Sequence, residues 1–162
     1  MTTIVRAQIL HTPRNPFAAG PGALEAFSDG GLASARPICS TSRRWRAPKT
    51  CAAFTELLPF EQKVIHVRWS GESTWIPLGE FDVGIGFENH TSHPAPGEIL
   101  LYPGGFSETE ILLPYGGCLF ASIVGQLAGN HFLTVVEGNE NLRALGEKTL
   151  WEGAQDIVFD RA

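Results

Sequence analysis

Residues 96–113 read Pro96-Gly97-Glu98-Ile99-Leu100-Leu101-Tyr102-Pro103-Gly104-Gly105-Phe106-Ser107-Glu108-Thr109-Glu110-Ile111-Leu112-Leu113. Two apolar runs, Glu98–Tyr102 and Thr109–Leu113, stand on either side of a Pro-Gly-Gly segment. Short apolar runs bounded by turn formers read as strands, and the six residues between them as their connection. This hairpin sets the character of the chain, which repeats the same motif of short apolar run and turn along most of its length.

Phe120–Val124 and His131–Val136 are further strands, and Gln155–Phe159 is a last one. Between the last two, Asn139 is placed to cap a helix over about 140–152, with Leu142, Leu145 and Trp151 facing inward and Gly153 ending it. Upstream, residues 79–97 form a loop rich in Gly, Asn and Pro. Thr74–Leu78 is a short strand after the turn Ser70-Gly71-Glu72-Ser73. Lys63–Trp69 alternates, with Ile65, Val67 and Trp69 on one face and Val64, His66, Arg68 and Ser70 on the other. Trp69 therefore reads first as a core residue. A helix precedes this strand. Pro48 suits its first turn, Cys51, Phe54, Leu57 and Leu58 form one apolar stripe, and Pro59 ends it. Ala23–Phe27 and Leu32–Ile38 flank Ser28-Asp29-Gly30-Gly31 as a hairpin. Residues 1–22 hold a possible strand, Thr3–Leu10, and otherwise read as an N-terminal arm. About eight to ten short strands and two helices leave too few helices for a βαβ architecture. The expected fold is one mainly β domain over residues 1–162, a closed barrel with about two α-helices, since closure removes sheet edges.

Composition narrows the function classes. The chain has 162 residues, with 43% hydrophobic and 18% charged, as a folded domain has. Its net charge of −5 argues against a nucleic-acid or membrane-surface role. Arg43, Arg44, Arg46 and Lys49 form a local basic cluster, read as solvated loop charge. Cys39, Cys51 and Cys118 are widely spaced and odd in number, so reduced thiols are expected rather than disulfides or a metal site. His90-x-x-His93 lacks a nearby third ligand, so no metal is expected. The N-terminus lacks a leader pattern and no apolar run is long enough to span a bilayer, so a cytoplasmic location is expected. Low charge, high apolar content and the arm point to a homo-oligomer.

Ala47-Pro48-Lys49-Thr50, then Cys51-Ala52-Ala53-Phe54, resembles the first helix of cyclophilins, and His66-Val67-Arg68 falls where cyclophilins carry a His-Arg pair on a strand. The run Pro96–Gly105, with Glu110–Leu113 and Tyr115-Gly116, is similar to the compact bacterial cyclophilin-like proteins. Together with Asn130–Val136, these motifs are closest to an uncharacterised bacterial family within that group, over roughly residues 24–160. The resemblance implies a cyclophilin-like barrel capped by helices. It does not imply efficient prolyl isomerisation. In cyclophilins a Gln-Gly-Gly-Asp segment follows the arginine, whereas Ser70-Gly71-Glu72 follows Arg68 here, and the later Gln-Phe-Phe segment is missing.

Arg68, Trp69 and Glu72 put a cation, an aromatic face and a carboxylate within one strand and turn. Tyr102, Glu110 and Tyr115 could approach from the later hairpin. A cleft with a few convergent polar groups is the usual small-molecule site. The candidate ligand-binding residues are Arg68, Glu72, Tyr102, Glu110 and Tyr115, and the expected role is binding of a small polar metabolite without a cofactor. Three alternatives stand beside it: an enzyme using acid–base chemistry through Glu72 or Glu110, a prolyl isomerase, and a non-catalytic assembly module.

Overall fold

A computed structural model describes residues 5–10, 33–37 and 46–161. The expected turn at Ser28–Gly31, Arg43, Arg44, Cys39 and most of the 1–22 arm lie outside the described residues. In chain order the elements are β1 (Val5–Leu10), β2 (Ala33–Pro37), α1 (Pro48–Glu56), β3 (Phe60–His66), β4 (Gly71–Gly79), β5 (His90–Thr91), β6 (Glu98–Tyr102) and β7 (Thr109–Cys118). There follow β8 (Ala121–Ser122), β9 (Gly125–Gln126), β10 (Gly129–Glu137), a 3-10 turn at Asn139–Asn141, α2 (Leu142–Glu152) and β11 (Gln155–Arg161).

The described residues are mainly β with two α-helices. One sheet has the order β2-β1-β11-β3-β4-β7-β6-β10-β5, all pairs antiparallel, and β8 and β9 form a separate small ribbon. The sheet is a curled half-barrel, open rather than closed along most of its rim, which corrects the expected fully closed barrel. Among the described residues, contact between its two ends is confined to one short seam. There β2 pairs with Val5–Ala7 of β1 on one side and with Leu133–Glu137 of β10 on the other. The opposite end of β10, Gly129 and Asn130, pairs instead with the two-residue β5. A five-residue β2 is too short to line the whole edge of a nine-residue β10.

The apolar runs of β6 and β7 are buried on both faces, which is why they read as continuous rather than alternating. Ile99, Leu101, Ile111 and Leu113 point into the main core with Phe54, Phe132, Leu133, Ile157 and Phe159. Leu100, Tyr102 and Leu112 point the other way, into a smaller cluster with Phe120 and Leu127, against which Val67 and Trp75 pack. The segment after β7 thus folds back over the outer face of the sheet. Residues 120–124, expected as a full strand, instead contribute the two-residue β8 to this cover.

Helix α1 caps the main core. Phe54 meets Phe60, Phe132 and Phe159 edge-on at centroid distances of 5.5, 5.0 and 5.5 Å. In α2 the buried residues are Leu142, Leu145, Gly146 and Thr149, a single helical stripe. Trp151 is nine positions from Leu142, half a turn off that stripe, and is 80% exposed rather than inward-facing. Among the described residues, no helix is long and apolar enough to cross a membrane.

Candidate functional site

Strand β3 ends at His66, so the alternation expected through Trp69 stops early. The inward residues of β3 include Phe60 and Val64, while Trp69 is 56% exposed and is not a core residue. Residues 67–70 instead form the turn into β4. Gly71, at φ +90°, lets this turn lie against β7, where a Cβ would stand 2.5 Å from the Gly117 carbonyl oxygen. Buried Ser70 ties the turn to the covering segment. Its hydroxyl donates to the Ala121 carbonyl at 3.0 Å and accepts the Ala121 N–H at 3.1 Å, and its carbonyl accepts the Leu119 N–H at 3.1 Å.

Between the turn, the outer face of the sheet and the covering segment lies a cleft of about 220 Å³. The turn contributes Arg68 and Trp69, and β4 contributes Trp75. Ser107 and Glu108 come from the β6–β7 connection, Glu110 from β7, and Ile123 from the tip between β8 and β9. Its position on the outer face follows from strand periodicity. Glu110 shares the side of Leu112, opposite Ile111 and Leu113, and pairs with Tyr102 on β6 and Pro77 on β4.

Glu110 occupies a position that its neighbours make apolar. It is 5% exposed, and its carboxyl makes no hydrogen bond or ion pair with another described residue. Burial pushes its pKa up to about 8, and the nearby Glu108 carboxylate pushes in the same direction. Glu108 itself accepts the Gly79 N–H at 3.1 Å. Trp75 adds a second unpaired group, since its indole N–H is buried with no acceptor among the described residues. The cleft therefore presents a guanidinium at the rim, the carboxyls of Glu108 and Glu110, and two indole rings.

Of the five residues singled out from the sequence, the structure brings Arg68 and Glu110 to this cleft. Tyr102 lies beside Glu110 in register, but its hydroxyl turns to the Phe106 N–H at 3.2 Å and supports the β6–β7 connection. Glu72 and Tyr115 belong to a different constellation near α2. The Tyr115 hydroxyl donates to Nε2 of His66 at 2.8 Å, because Nδ1 of that ring faces the Val67 carbonyl at 2.8 Å and must carry the proton. The Tyr115 ring lies so close to Gly146 that a Cβ there would stand 2.2 Å from it. Glu72 accepts the Gly117 N–H at 2.9 Å and pairs with Arg143 at 3.2 Å. These partners hold the Glu72 carboxyl below its ordinary range, while burial, then Glu72, raises the Tyr115 phenol. Arg68 and Glu110 thus stand in one group, and Glu72 and Tyr115 in another. Trp75, Ser70 and Ile123 were not anticipated from the sequence; the outward register of β4 was the one usable signal, for Trp75.

No curated protein matches the chain. Among solved structures, the one described as "Structure of McbB in complex with tryptophan" is similar, with a TM-score of 0.63 at 15% identity. The likeness covers 97% of this chain but 44% of that one, so the chain spans less than half the neighbour's length, and at this identity it speaks to fold alone. Residues 39–160 match the model of a family described as "Protein of unknown function (DUF3830)", and this match over most of the chain shows that it belongs to the DUF3830 family.

Proposed function

We propose that this protein binds a small polar metabolite in the outer-face cleft, with Arg68 and Glu110 as its principal polar contacts. The observation that carries this reading is Glu110, a nearly buried carboxyl without a partner among the described residues, set in a wall that also presents a guanidinium. Burying such a group unpaired is costly, and perturbed carboxyls in clefts concentrate at functional sites. McbB, whose fold is similar, is described in complex with tryptophan; that is a property of McbB, and it supports the idea that this fold can hold a small molecule.

A thermal-shift screen against a metabolite library tests the reading. A ligand present at 100 times its Kd stabilises the folded state by ~2.7 kcal/mol. Hits are expected to weaken in both Arg68→Ala and Glu110→Gln. Hits that survive both substitutions unchanged place the site elsewhere.

A second reading is favoured by one observation. A carboxyl titrating near 8 is poised to exchange protons at neutral pH, which suits acid–base catalysis by Glu110. Mass analysis of each hit after prolonged incubation separates the two readings, since a binder returns its ligand intact and an enzyme does not.

A further inference from the structure

Most of the polar groups around the cleft can donate a hydrogen bond. Arg68 offers a guanidinium, and Ser107 and Ser122 offer hydroxyls, while Trp75 contributes its ring and keeps its indole N–H buried. A protonated Glu110 offers one more O–H. The other lining carboxyl, Glu108, accepts the Gly79 N–H. The guanidinium and the O–H fit a ligand group that accepts from both. The remaining walls are flat or apolar: Trp69, Trp75, Val67 and Ile123, the last 80% exposed at the lip. The volume, about 220 Å³, is below the range of drug-sized sites and limits the ligand to a small body.

Resting on the reading above, we infer that the ligand of this cleft is a small monocarboxylate with a flat apolar body, bound only while Glu110 retains its proton. The carboxylate lies between the Arg68 guanidinium and the Glu110 O–H, and the flat body rests against the indoles. No covalent step is involved.

The groups that face Glu110 make the proton decisive. β4 presents Pro77 and Trp75, and β6 presents the phenol of Tyr102. The β6–β7 connection presents Glu108, the 67–70 turn Arg68, and the covering segment Ser122 and Ile123. Arg68 forms no ion pair with Glu110 among the described residues. With Glu110 neutral, Arg68 and Glu108 cancel. With Glu110 ionised, the cleft carries a net negative charge and loses its O–H donor, and both changes oppose an anion. A dicarboxylate would bring a second negative charge into a cleft that already holds the Glu108 carboxyl.

The test uses the full chain and three probes of one size: benzoate, benzamide and benzylamine. Affinities are measured by calorimetry between pH 6.5 and 9.5. Benzoate is expected to bind best at pH 6.5. With the Glu110 proton leaving near pH 8, about 3% of the protein remains competent at pH 9.5, so its affinity falls about 30-fold. At pH 8.5, titrations in buffers of different ionisation enthalpy are expected to show uptake of roughly three-quarters of a proton per benzoate bound. In Glu110→Gln, which keeps a donor and cannot ionise, the 30-fold step is expected to shrink below 3-fold. A flat wild-type profile, or benzylamine binding tighter than benzoate, overturns the ligand assignment. The wider reading fails separately. If benzylamine is the tighter probe and loses affinity in Trp69→Ala, the cleft is a site and only the ligand class is wrong. If no probe and no library hit responds to Trp69→Ala or Arg68→Ala, the cleft itself is not the site.

Discussion

The carboxylate of Glu88 closes the first turn of α1 from 38 residues away, accepting the backbone N–H of Thr50 at 2.6 Å and its hydroxyl at 2.8 Å. The helix has no side-chain cap of its own, since Ala47 occupies the N-cap position and no acidic residue lies in the first turn. A distant loop supplies the acceptor that Ser, Thr, Asp or Asn would provide locally. Buried Asn130 completes the knot by donating to Thr50 Oγ1 and the Gly86 carbonyl and accepting the Glu88 N–H. Glu88→Ala is expected to cost about 1–2 kcal/mol, because it removes an N-terminal cap and frees the loop that carries it. Denaturant unfolding measures this. A change below the experimental error would mean that the loop does not hold the helix.

Glu110 makes stability depend on pH in a stated direction. Its folded pKa of about 8 lies above the ordinary 4.5, so the folded state holds a proton that the unfolded chain has released across that window. Stability therefore falls as pH rises from about 4.5 to about 8, by a few kcal/mol at most. Glu110→Gln removes this dependence. Its melting temperature, relative to wild type, is expected to be clearly higher at pH 8.5 than at pH 5. An offset that stays constant between those two pH values would show that Glu110 is solvated.

The two groups of polar residues are predicted to be independent. Tyr115→Phe leaves His66 Nε2 without its donor and is expected to cost about 1 kcal/mol of stability. The Tyr115 ring packs against the main core and Glu110 lies on the opposite sheet face, so ligand hits at the cleft should bind Tyr115→Phe as they bind wild type. Loss of the hits in this variant would join the two groups into one site.

Trp69 and Phe54 are expected to separate binding from folding. Phe54→Ala deletes the ring at the centre of the α1 cluster and should cost about 3–5 kcal/mol. Trp69, more than half exposed, should cost less than about 1 kcal/mol on truncation while weakening the cleft hits. A large unfolding penalty for Trp69→Ala would return it to a packing role.

Strand and helix content was legible where one residue type dominates locally. Glu98–Tyr102 has the bounds read from its sequence, and α1 begins at Pro48 as read. Long-range packing was not legible. The fold-back of Phe120 and Leu127 onto Leu100 and Leu112 gives the sheet a second apolar face, and nothing local in 119–127 announces it. That cover builds one wall of the cleft, so the partners of Arg68 could not be chosen correctly from strand patterns. Glu110 was noticed as a carboxylate, but its isolation depends on Leu112, Tyr102 and Pro77 crowding the same face. Trp69 was assigned inward by carrying the alternation of Ile65 and Val67 past His66, and Trp151 by grouping it with Leu142 and Leu145. The phase of α2 and the early end of β3 decide otherwise.

The ligand is expected to occupy the cleft of Arg68 and Glu110. The most direct measurement of this is the proton–nitrogen spectrum of the tryptophan indole groups in uniformly labelled protein, with and without a hit from the thermal-shift screen. The indole N–H signals of Trp69 and Trp75, assigned by substitution, are predicted to shift, while that of Trp151, exposed on α2, stays in place. A ligand that moves the Trp151 signal and leaves Trp69 and Trp75 unmoved would contradict the account.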